Sequence, residues 1–328
     1  MASAAQMKAL LNSHITGDDE YFYAISLQVA ATEAKQGHEK LAKEIVHLVD
    51  EAKKNRNRRL TIPLNRPQGD LAEILSVSYP QVGLSDMVLS KQLENQLKRI
   101  LIEQRKASRI QEHGLSPRRK IILVGPPGTG KTMTASVLAG ELSIPLFQVR
   151  LDGLITKFMG ETASKLRLIF EATEQTRGVY FFDEFDAIGS ERGLANDVGE
   201  IRRILNSFLQ MIEQDNSDSL IIAATNHPEI LDYALFRRFD DVLKYELPDV
   251  QGIKELLKDR LCNYTEKGFS WNKAAEVATG LSHAEITRAT QEVIKDSLIN
   301  DQASVSENEI LNALNERHEI KERLNSLS

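Results

Sequence analysis

The chain has 328 residues, of which 41% are hydrophobic, so it is long enough for two or three domains with sizeable cores. Its formal net charge of −6 argues against a general binder of nucleic acid or of anionic membranes. The lone Cys262 excludes an internal disulfide framework, and no apolar run is long enough to span a bilayer. We therefore expect a cytoplasmic protein that does not act on membranes.

The N-terminal part is predicted to be helical. Apolar residues recur there at helical spacing, for example over 21–29. A piece of this size is small for independent stability, so it is expected to dock on a partner or on neighbouring copies. A proline-containing linker follows over 61–80. The basic residues at 53–59 fit either a solvated hinge or a contact with nucleic acid, and the absence of interleaved aromatic residues favours the hinge.

Short apolar runs without polar alternation mark the middle of the chain as an α/β domain. They occupy 121–124, 179–182 and 220–224. Such runs are typical of parallel strands that are buried on both faces of a sheet. After Pro248 the apolar residues return to helical spacing, which predicts a smaller helical domain in the C-terminal part.

A glycine-rich motif, Gly-Pro-Pro-Gly-Thr-Gly-Lys-Thr, follows the first of these runs and precedes a helix-compatible stretch. The glycines let backbone N–H groups point at a phosphate chain, where the N-terminus of the helix adds partial positive charge. Lys131 is predicted to reach the β- and γ-phosphates of a nucleoside triphosphate, and Thr132 to ligate Mg²⁺. The predicted phosphate-binding set is Gly125, Pro126, Pro127, Gly128, Thr129, Gly130, Lys131, Thr132 and Met133.

Polar residues follow the next two apolar runs, at the carboxyl ends of the predicted strands. Asp183 is predicted to hold Mg²⁺, and Glu184 to orient and polarise an attacking water molecule. Alone, this pair would fit an acidic turn after a core strand better than a catalytic pair, but its position in a chain that carries Lys131 favours hydrolysis. Asn226, after the next run, either bonds the γ-phosphate or the lytic water or begins a turn.

Two adjacent arginines, Arg237 and Arg238, lie in the segment Ala-Leu-Phe-Arg-Arg-Phe-Asp. Adjacent arginines are either a solvated surface pair or, close to a nucleotide site, a means of stabilising charge that develops on a γ-phosphate. The proximity of this segment to Asn226 in the sequence favours the second interpretation.

The four motifs GPPGTGKT, FFDEFD, AATN and LFRRFD occur here in the order and at a spacing similar to those of the AAA ATPases in the narrow sense. The chain resembles that family from about Gly83 to about Asn300. The resemblance implies ATP and Mg²⁺ as cofactors and a homo-oligomeric ring, a hexamer with ATP at the subunit interfaces. Arg237 and Arg238 would then act on the nucleotide of the neighbouring subunit.

The resemblance also implies a fold class and a domain division. The fold would be an α/β P-loop NTPase core, a parallel sheet flanked by helices, with a helical N-terminal domain and a C-terminal helical lid. The boundaries predicted are 1–60 for the N-terminal domain, 61–80 for the linker, 81–248 for the large ATPase domain and 249–328 for the lid.

Three further stretches gain a role through the resemblance. Lys157, Phe158 and Met159 match a loop that faces the central pore and grips an extended polypeptide, although Phe158 could instead be a core residue. The segment Gly-Leu-Ser-His-Ala-Glu resembles the family's Gly-x-Ser-Gly-Ala-Asp lid motif. The residues that would line the nucleotide pocket here are Asp86, Met87, Val88 and, in the lid motif, Ala284.

The chain departs from the family pattern at two places. His283 and Glu285 replace the glycine and the aspartate of the lid motif, and His283 is either a contact near the ribose or a tolerated residue at a helix start. Ile-Glu-Gln at 212–214 stands where the family often has Met-Asp-Gly, a signal between subunits, so that coupling is in doubt.

The function predicted is ATP hydrolysis in a ring that remodels, unfolds or translocates a protein substrate. A looser resemblance, to compact bacterial ATPases, implies a separately encoded subtilisin-like protease as a partner in anti-phage defence; the chain itself has no protease signature. Nucleic acid is not expected as a partner. Two alternatives stay open, namely a helper ATPase associated with DNA or RNA and an ATP-gated scaffold with slow turnover.

Overall fold

The computed structural model of the chain divides into two compact units, Met1–Asn65 and Arg66–Ser328. The domain boundaries predicted from the sequence stay predictions beside this division. The structure describes residues 19–35, 38, 42–47, 49, 69–150, 154, 159–186, 198–231, 233–265, 268–302 and 304–326.

The described residues of the first unit are mainly helical. Helix α1 spans Asp19–Lys35, and 42–47 form a further helical stretch. Ile25, Val29 and Ala30 of α1 are buried, which is the spacing expected for one face of a helix. The apolar period that predicted helix in this part of the chain is therefore matched where the structure describes it.

A six-stranded sheet organises the second unit, in the order β1-β3-β4-β5-β2-β6. All neighbouring strands are parallel except β1, which pairs with β3 in the antiparallel sense at one edge. Every residue of β4 and β5 is buried, as the unbroken apolar runs predicted. The strands are β1 Leu75–Ser78, β2 Lys120–Val124, β3 Leu146–Val149, β4 Val179–Phe182, β5 Leu220–Thr225 and β6 Asp241–Lys244.

Helices cover both faces of this sheet and form the C-terminal part of the unit. Short 3-10 turns occupy Leu84–Asp86 and Pro228–Ile230. None of the helices within the described ranges combines the length and the apolar character required to cross a bilayer. The helices are α2 Asp70–Ile74, α3 Lys91–Arg105, α4 Ala107–Glu112, α5 Lys131–Leu142, α6 Met159–Gln175, α7 Val198–Gln214, α8 Tyr233–Phe236, α9 Val250–Leu261, α10 Trp271–Val277, α11 His283–Ile299 and α12 Glu307–Asn325.

Two apolar cores hold the sheet between its helices. On one face, the ring centroid of Phe208 in α7 lies 5.2 Å from that of Phe182 and 4.7 Å from that of Phe185. On the other face, Leu97 of α3 and Leu138 of α5 are fully buried against the sheet. These observations confirm the predicted α/β core, and the packing fixes the carboxyl ends of β2, β4 and β5 beside one another.

A third core holds α9 to α12 together as a small helical bundle. Leu257, Leu281 and Ile286 are fully buried in it, and the ring of Trp271 packs 4.5 Å from that of Phe269. Ser282 caps α11 in a capping box with Glu285, whose carboxylate accepts a hydrogen bond from the Ser282 backbone N–H at 2.6 Å. The cap fixes the residue at which α11 begins and the direction in which the helix runs.

Candidate active site

The glycine-rich motif forms the turn between β2 and α5. A Cβ atom on Gly125 would lie 2.3 Å from the carbonyl oxygen of Tyr245, and a Cβ atom on Gly128 would lie 2.7 Å from Ser282 Oγ. Both glycines also have positive φ angles, 149° and 73°. These positions therefore tolerate glycine alone, because both the space and the backbone conformation exclude a side chain.

Lys131 begins α5 and lies inside this loop. Its ammonium donates hydrogen bonds to the carbonyl oxygens of Gly125 at 2.6 Å and Pro126 at 2.7 Å, and the residue is only 7% exposed. Burial lowers the pKa of Lys131, while the nearby carboxylates of Asp183 and Asp186 raise it. The loop thus holds a cation at the point where a phosphate chain would enter.

The predicted metal ligands lie next to each other. The hydroxyl of Thr132 donates a hydrogen bond of 2.8 Å to Asp183 Oδ2, which joins the start of α5 to the end of β4. A hydroxyl beside a carboxylate fits Mg²⁺, which prefers oxygen ligands and completes its shell with water and phosphate oxygens. Over the described ranges, no three His, Cys, Asp or Glu side chains group together in a way that could hold a metal ion.

Glu184 follows Asp183 in a left-handed backbone conformation, with φ 49°. Its backbone N–H donates to Asp183 Oδ1 at 3.0 Å, and the next N–H, that of Phe185, donates to the Ala224 carbonyl of β5 at 2.8 Å. Positive φ at a residue other than glycine is strained and is found preferentially at active sites. The fully buried Phe185 holds the turn in place, so that the exposed Glu184 borders the cleft.

Asp186 is a residue that the sequence interpretation missed. Its Oδ1 accepts hydrogen bonds from the Thr225 hydroxyl at 2.9 Å and from the Asn226 backbone N–H at 3.3 Å. Asp186 therefore ties the turn after β4 to the end of β5 and positions Asn226 beside the cleft. The signal available in the sequence was the third carboxylate of the Asp-Glu-Phe-Asp segment.

A cleft of about 540 Å³ brings the predicted residues together. Gly125 and Pro126 lie behind Lys131 as its carbonyl partners and do not border the cleft. Leu256, Arg260 and Thr287 were not predicted; they come from α9 and α11. The lining residues are Asp86, Met87, Val88, Pro127, Gly128, Thr129, Gly130, Lys131, Thr132, Met133, Asp183, Glu184, Asn226, Leu256, Arg260, His283, Ala284 and Thr287.

The helical bundle contacts the phosphate-binding loop directly. The backbone N–H of Ala284, in the first turn of α11, donates a hydrogen bond of 3.0 Å to the carbonyl oxygen of Gly128. An N–H group in the first turn of a helix has no partner within the helix, so it is free to make this bond. The start of α11 is therefore anchored to the loop by main-chain atoms.

Replacement of Gly128 by alanine is expected to weaken nucleotide binding by at least about tenfold. The added methyl group would lie 3.0 Å from the Cβ atom of Ala284 and would push Ser282 and Ala284 away from the loop. Titration with a fluorescent ATP analogue measures the loss. Gly114→Ala is the matched control, because Gly114 also has positive φ (71°) but its Cβ atom would meet nothing within 4 Å. Equal affinities for the two variants would contradict the expectation.

Arg237 and Arg238 do not border the cleft of their own chain. Arg237 is exposed, and its guanidinium carbon lies 4.9 Å from the ring centroid of Tyr233. Arg238 Nε lies 2.5 Å from Glu213 Oε1 without the geometry of a hydrogen bond, so the contact is an ion pair. The side chain of Arg238 is 37% exposed and that of Glu213 is 49% exposed. The ion pair therefore contributes little to stability, and Arg238 can readily leave it for another partner.

The remaining predictions fall partly outside the described residues. Lys157 and Phe158 lie outside them, and Met159 is known as the first residue of α6 only. In the stretch 212–214, Ile212 is buried in the core of the sheet, and Glu213 is the partner of Arg238.

Comparisons with known proteins give the family of the chain. The family model of the ATPase family associated with various cellular activities (AAA) matches residues 121–247. An uncharacterized AAA family ATPase of Sinorhizobium fredii, y4kL, is 36% identical over 320 residues, which are 96% of this chain and 95% of that protein.

More distant matches cover shorter stretches. The proteasome-activating nucleotidase of Thermococcus kodakarensis is 32% identical over 247 residues, which are 73% of this chain but only 62% of that protein. The crystal structure of the FIGL-1 AAA domain superimposes with a TM-score of 0.60 at 24% identity, covering 74% of this chain and 86% of that one, and shows a shared fold. With a relative of 36% identity along nearly its whole length and a family match across the α/β domain, this chain belongs to the AAA ATPases and hydrolyses ATP.

Proposed function

We propose that this ATPase assembles into a ring of identical subunits, a hexamer, and uses ATP to unfold or remodel a protein substrate. The main support is the position of the two arginines relative to the cleft. The cleft of one chain gathers Lys131, Asp183 and Glu184, whereas Arg237 and Arg238 lie outside it on a partly exposed turn. Arginines that assist hydrolysis without bordering their own cleft act on the nucleotide of a neighbour.

Each residue of the cleft has a distinct task in this proposal. Lys131 supplies a point charge to the β- and γ-phosphates, and Thr132 and Asp183 hold Mg²⁺. When bound, Mg²⁺ neutralises charge on the phosphate oxygens. Glu184 accepts a hydrogen bond from the attacking water and polarises it, and Asn226 orients the water or the γ-phosphate.

The bond between Ala284 and Gly128 provides a route from chemistry to movement. The loop that holds the phosphates and the first turn of α11 share this bond, so a displacement of one is transmitted to the other. Loss of the γ-phosphate would thereby change the position of the helical bundle and, in a ring, the contact with the next subunit. We infer that this displacement moves the segment of Lys157, Phe158 and Met159 against a polypeptide.

A protein substrate is supported by the relatives. The nucleotidase of Thermococcus kodakarensis is, by its name, an activator of a proteasome, and the similarity covers 73% of this chain. Copurification with the products of neighbouring genes would test whether a separately encoded subtilisin-like protease is a partner in phage defence. A salt-dependent affinity for DNA would instead favour the first alternative, a helper ATPase associated with DNA or RNA. Assembly of the chain with ATP, without measurable ATP hydrolysis, would favour the second alternative, an ATP-gated scaffold.

Replacement of Phe158 by alanine is expected to leave the melting temperature and the basal ATPase activity unchanged, to within about twofold for the latter, while stimulation by a polypeptide is lost. Labelled casein, an unstructured protein, serves as the probe. Mass photometry with ATP on the same samples tests for the hexamer.

The matched control is Phe208→Ala, which removes a fully buried ring and is expected to cost about 3–5 kcal/mol of stability. A comparable loss of stability in the Phe158 variant would place that residue in the core. Stimulation by casein that survives in a well-folded variant would refute the pore-loop role.

A further inference from the structure

Tyr245 follows β6 and is buried against the phosphate-binding loop, outside the lining of the cleft. Its main chain holds the first end of the loop. The Tyr245 N–H donates a hydrogen bond of 2.7 Å to the carbonyl oxygen of Val124, the residue before Gly125. The carbonyl oxygen of Tyr245 is the atom that would lie 2.3 Å from a Cβ atom on Gly125. The loop therefore begins in close packing with Tyr245.

The side chain of Tyr245 reaches the other end of the loop. Its hydroxyl lies 2.5 Å from the hydroxyl of Thr134, one turn into α5, and both residues are buried. Thr134 Oγ1 in turn donates a hydrogen bond of 3.1 Å to the carbonyl oxygen of Gly130, the residue that caps α5. One residue thus contacts the start of the loop directly and its end through Thr134.

The direction of these bonds follows from the number of protons. Each hydroxyl carries one proton, and burial raises the pKa of Tyr245, so that its hydroxyl stays protonated. If Tyr245 donates to Thr134, the proton of Thr134 is left for the Gly130 carbonyl, and both buried protons are bonded. The opposite direction would leave the contact with Gly130 without a proton. The bonds therefore run from Tyr245 through Thr134 to Gly130.

The end of the loop that these bonds hold carries the groups predicted to bind phosphate. Lys131 and Thr132 are in the first turn of α5, where the backbone N–H groups have no partner within the helix. Met87, which lines the cleft, also touches the buried pair, its Sδ lying 3.8 Å from Thr134 Oγ1. A loop that is fixed before the nucleotide arrives loses little conformational freedom on binding.

We propose that Tyr245 is a positioning residue for ATP, which clamps the two ends of the phosphate-binding loop, the first through its main chain and the second through Thr134. Without the Tyr245 hydroxyl, the loop would also adopt conformations that do not bind phosphate, and the affinity for nucleotide would fall in proportion. The bound loop would make the same contacts in the ground state and in the transition state, so kcat would not change. The assignment rests on the proposed binding of ATP at this loop.

Tyr245→Phe removes the hydroxyl and keeps the ring. It is expected to weaken the binding of ADP to the full chain about fivefold in calorimetric titration, the effect of one hydrogen bond. The KM for ATP should rise by a similar factor, with kcat changed by less than about twofold.

Tyr180→Phe is the matched control. The hydroxyl of Tyr180 is also bonded inside the fold, to the carbonyl oxygens of Ala172 at 2.7 Å and Thr176 at 3.0 Å. Tyr180 lies in the core on one face of the sheet, whereas Tyr245 lies in the core on the other. Loss of the Tyr180 hydroxyl should therefore lower the melting temperature without changing the affinity for ADP by more than about twofold.

Substitutions of Thr134 test the connection itself. Thr134→Ser keeps the hydroxyl and should retain most of the affinity, whereas Thr134→Val removes it and should reproduce the loss. Tyr245→Phe combined with Thr134→Val should bind ADP no more weakly than Thr134→Val alone, because both substitutions break one chain of bonds. Thermal melts without nucleotide show whether each variant is folded.

An unchanged affinity for ADP in Tyr245→Phe would overturn the proposal, and so would an equal loss in Tyr180→Phe or additive losses in the double variant. Lys131→Ala separates this question from the site itself. If Lys131→Ala weakens the binding of ADP and Tyr245→Phe does not, the clamp alone is refuted. If Lys131→Ala leaves the affinity unchanged, the nucleotide binds elsewhere, and both the site and the role of Tyr245 are refuted.

Discussion

Glu184→Gln is expected to lower the rate of ATP hydrolysis by about 10²–10⁴-fold while leaving the affinity for ATP nearly unchanged. The glutamine side chain keeps the size of the glutamate but cannot polarise the attacking water. The contacts that hold the nucleotide, from Lys131 and Thr132, are not altered. Phosphate release at saturating ATP, together with titration of a fluorescent ATP analogue, measures the two effects separately.

Two further variants sharpen this experiment. Glu246→Gln is the matched control, because Glu246 is exposed, is paired with Lys244 and lies outside the cleft. Lys131→Ala should show the opposite pattern to Glu184→Gln, with a loss of binding itself. Near-normal turnover in Glu184→Gln would remove Glu184 from the mechanism.

Alanine at Arg237 or Arg238 is expected to lower turnover by about 10³-fold or more, since such an arginine stabilises charge on the γ-phosphate in the transition state. If the arginines act on the neighbour's nucleotide, inactive Arg238→Ala subunits mixed with inactive Glu184→Gln subunits should regain activity. Some interfaces in the mixed rings would combine an intact Glu184 with an intact Arg238. The activity of the mixture, measured across mixing ratios, gives the result.

Arg99→Ala is the matched control for the arginine variants, because Arg99 is exposed on α3 and pairs there with Glu103 of the same helix. Full activity in a protein that stays monomeric with ATP, with a specific activity independent of concentration, would contradict action across an interface. The ion pair of Arg238 with Glu213 would then be a surface contact and nothing more.

The parts of the site that sequence reasoning predicted are those whose chemistry is local. The glycines of the phosphate-binding loop form one continuous segment with Lys131 and Thr132, and this spacing is the one that phosphate binding requires. Asp183 was assigned to the same place because the carboxyl ends of parallel strands meet at one edge of a sheet. The structure puts it 2.8 Å from the Thr132 hydroxyl.

The parts that could not be predicted depend on packing between distant segments. Leu256, Arg260 and Thr287 reach the cleft only because α9 and α11 fold back on it, and nothing in their own sequence separates them from other helical residues. The antiparallel β1 likewise depends on pairing with β3, about 70 residues further along the chain. The contact of Arg238 with Glu213 joins the turn after α8 to the end of α7.

The bond from Ala284 to Gly128 joins two main-chain atoms, and this has an evolutionary consequence. The bond needs no particular side chain at residue 284, but it needs the open space at Gly128, where a Cβ atom would lie 3.0 Å from that of Ala284. The glutamate at 285 caps α11 through the same pattern that an N3 acid ordinarily provides. The main-chain bond is therefore compatible with histidine at 283, where the family pattern has glycine. The contact between the bundle and the loop thus tolerates sequence change at 283, whereas it does not tolerate a larger side chain at 128.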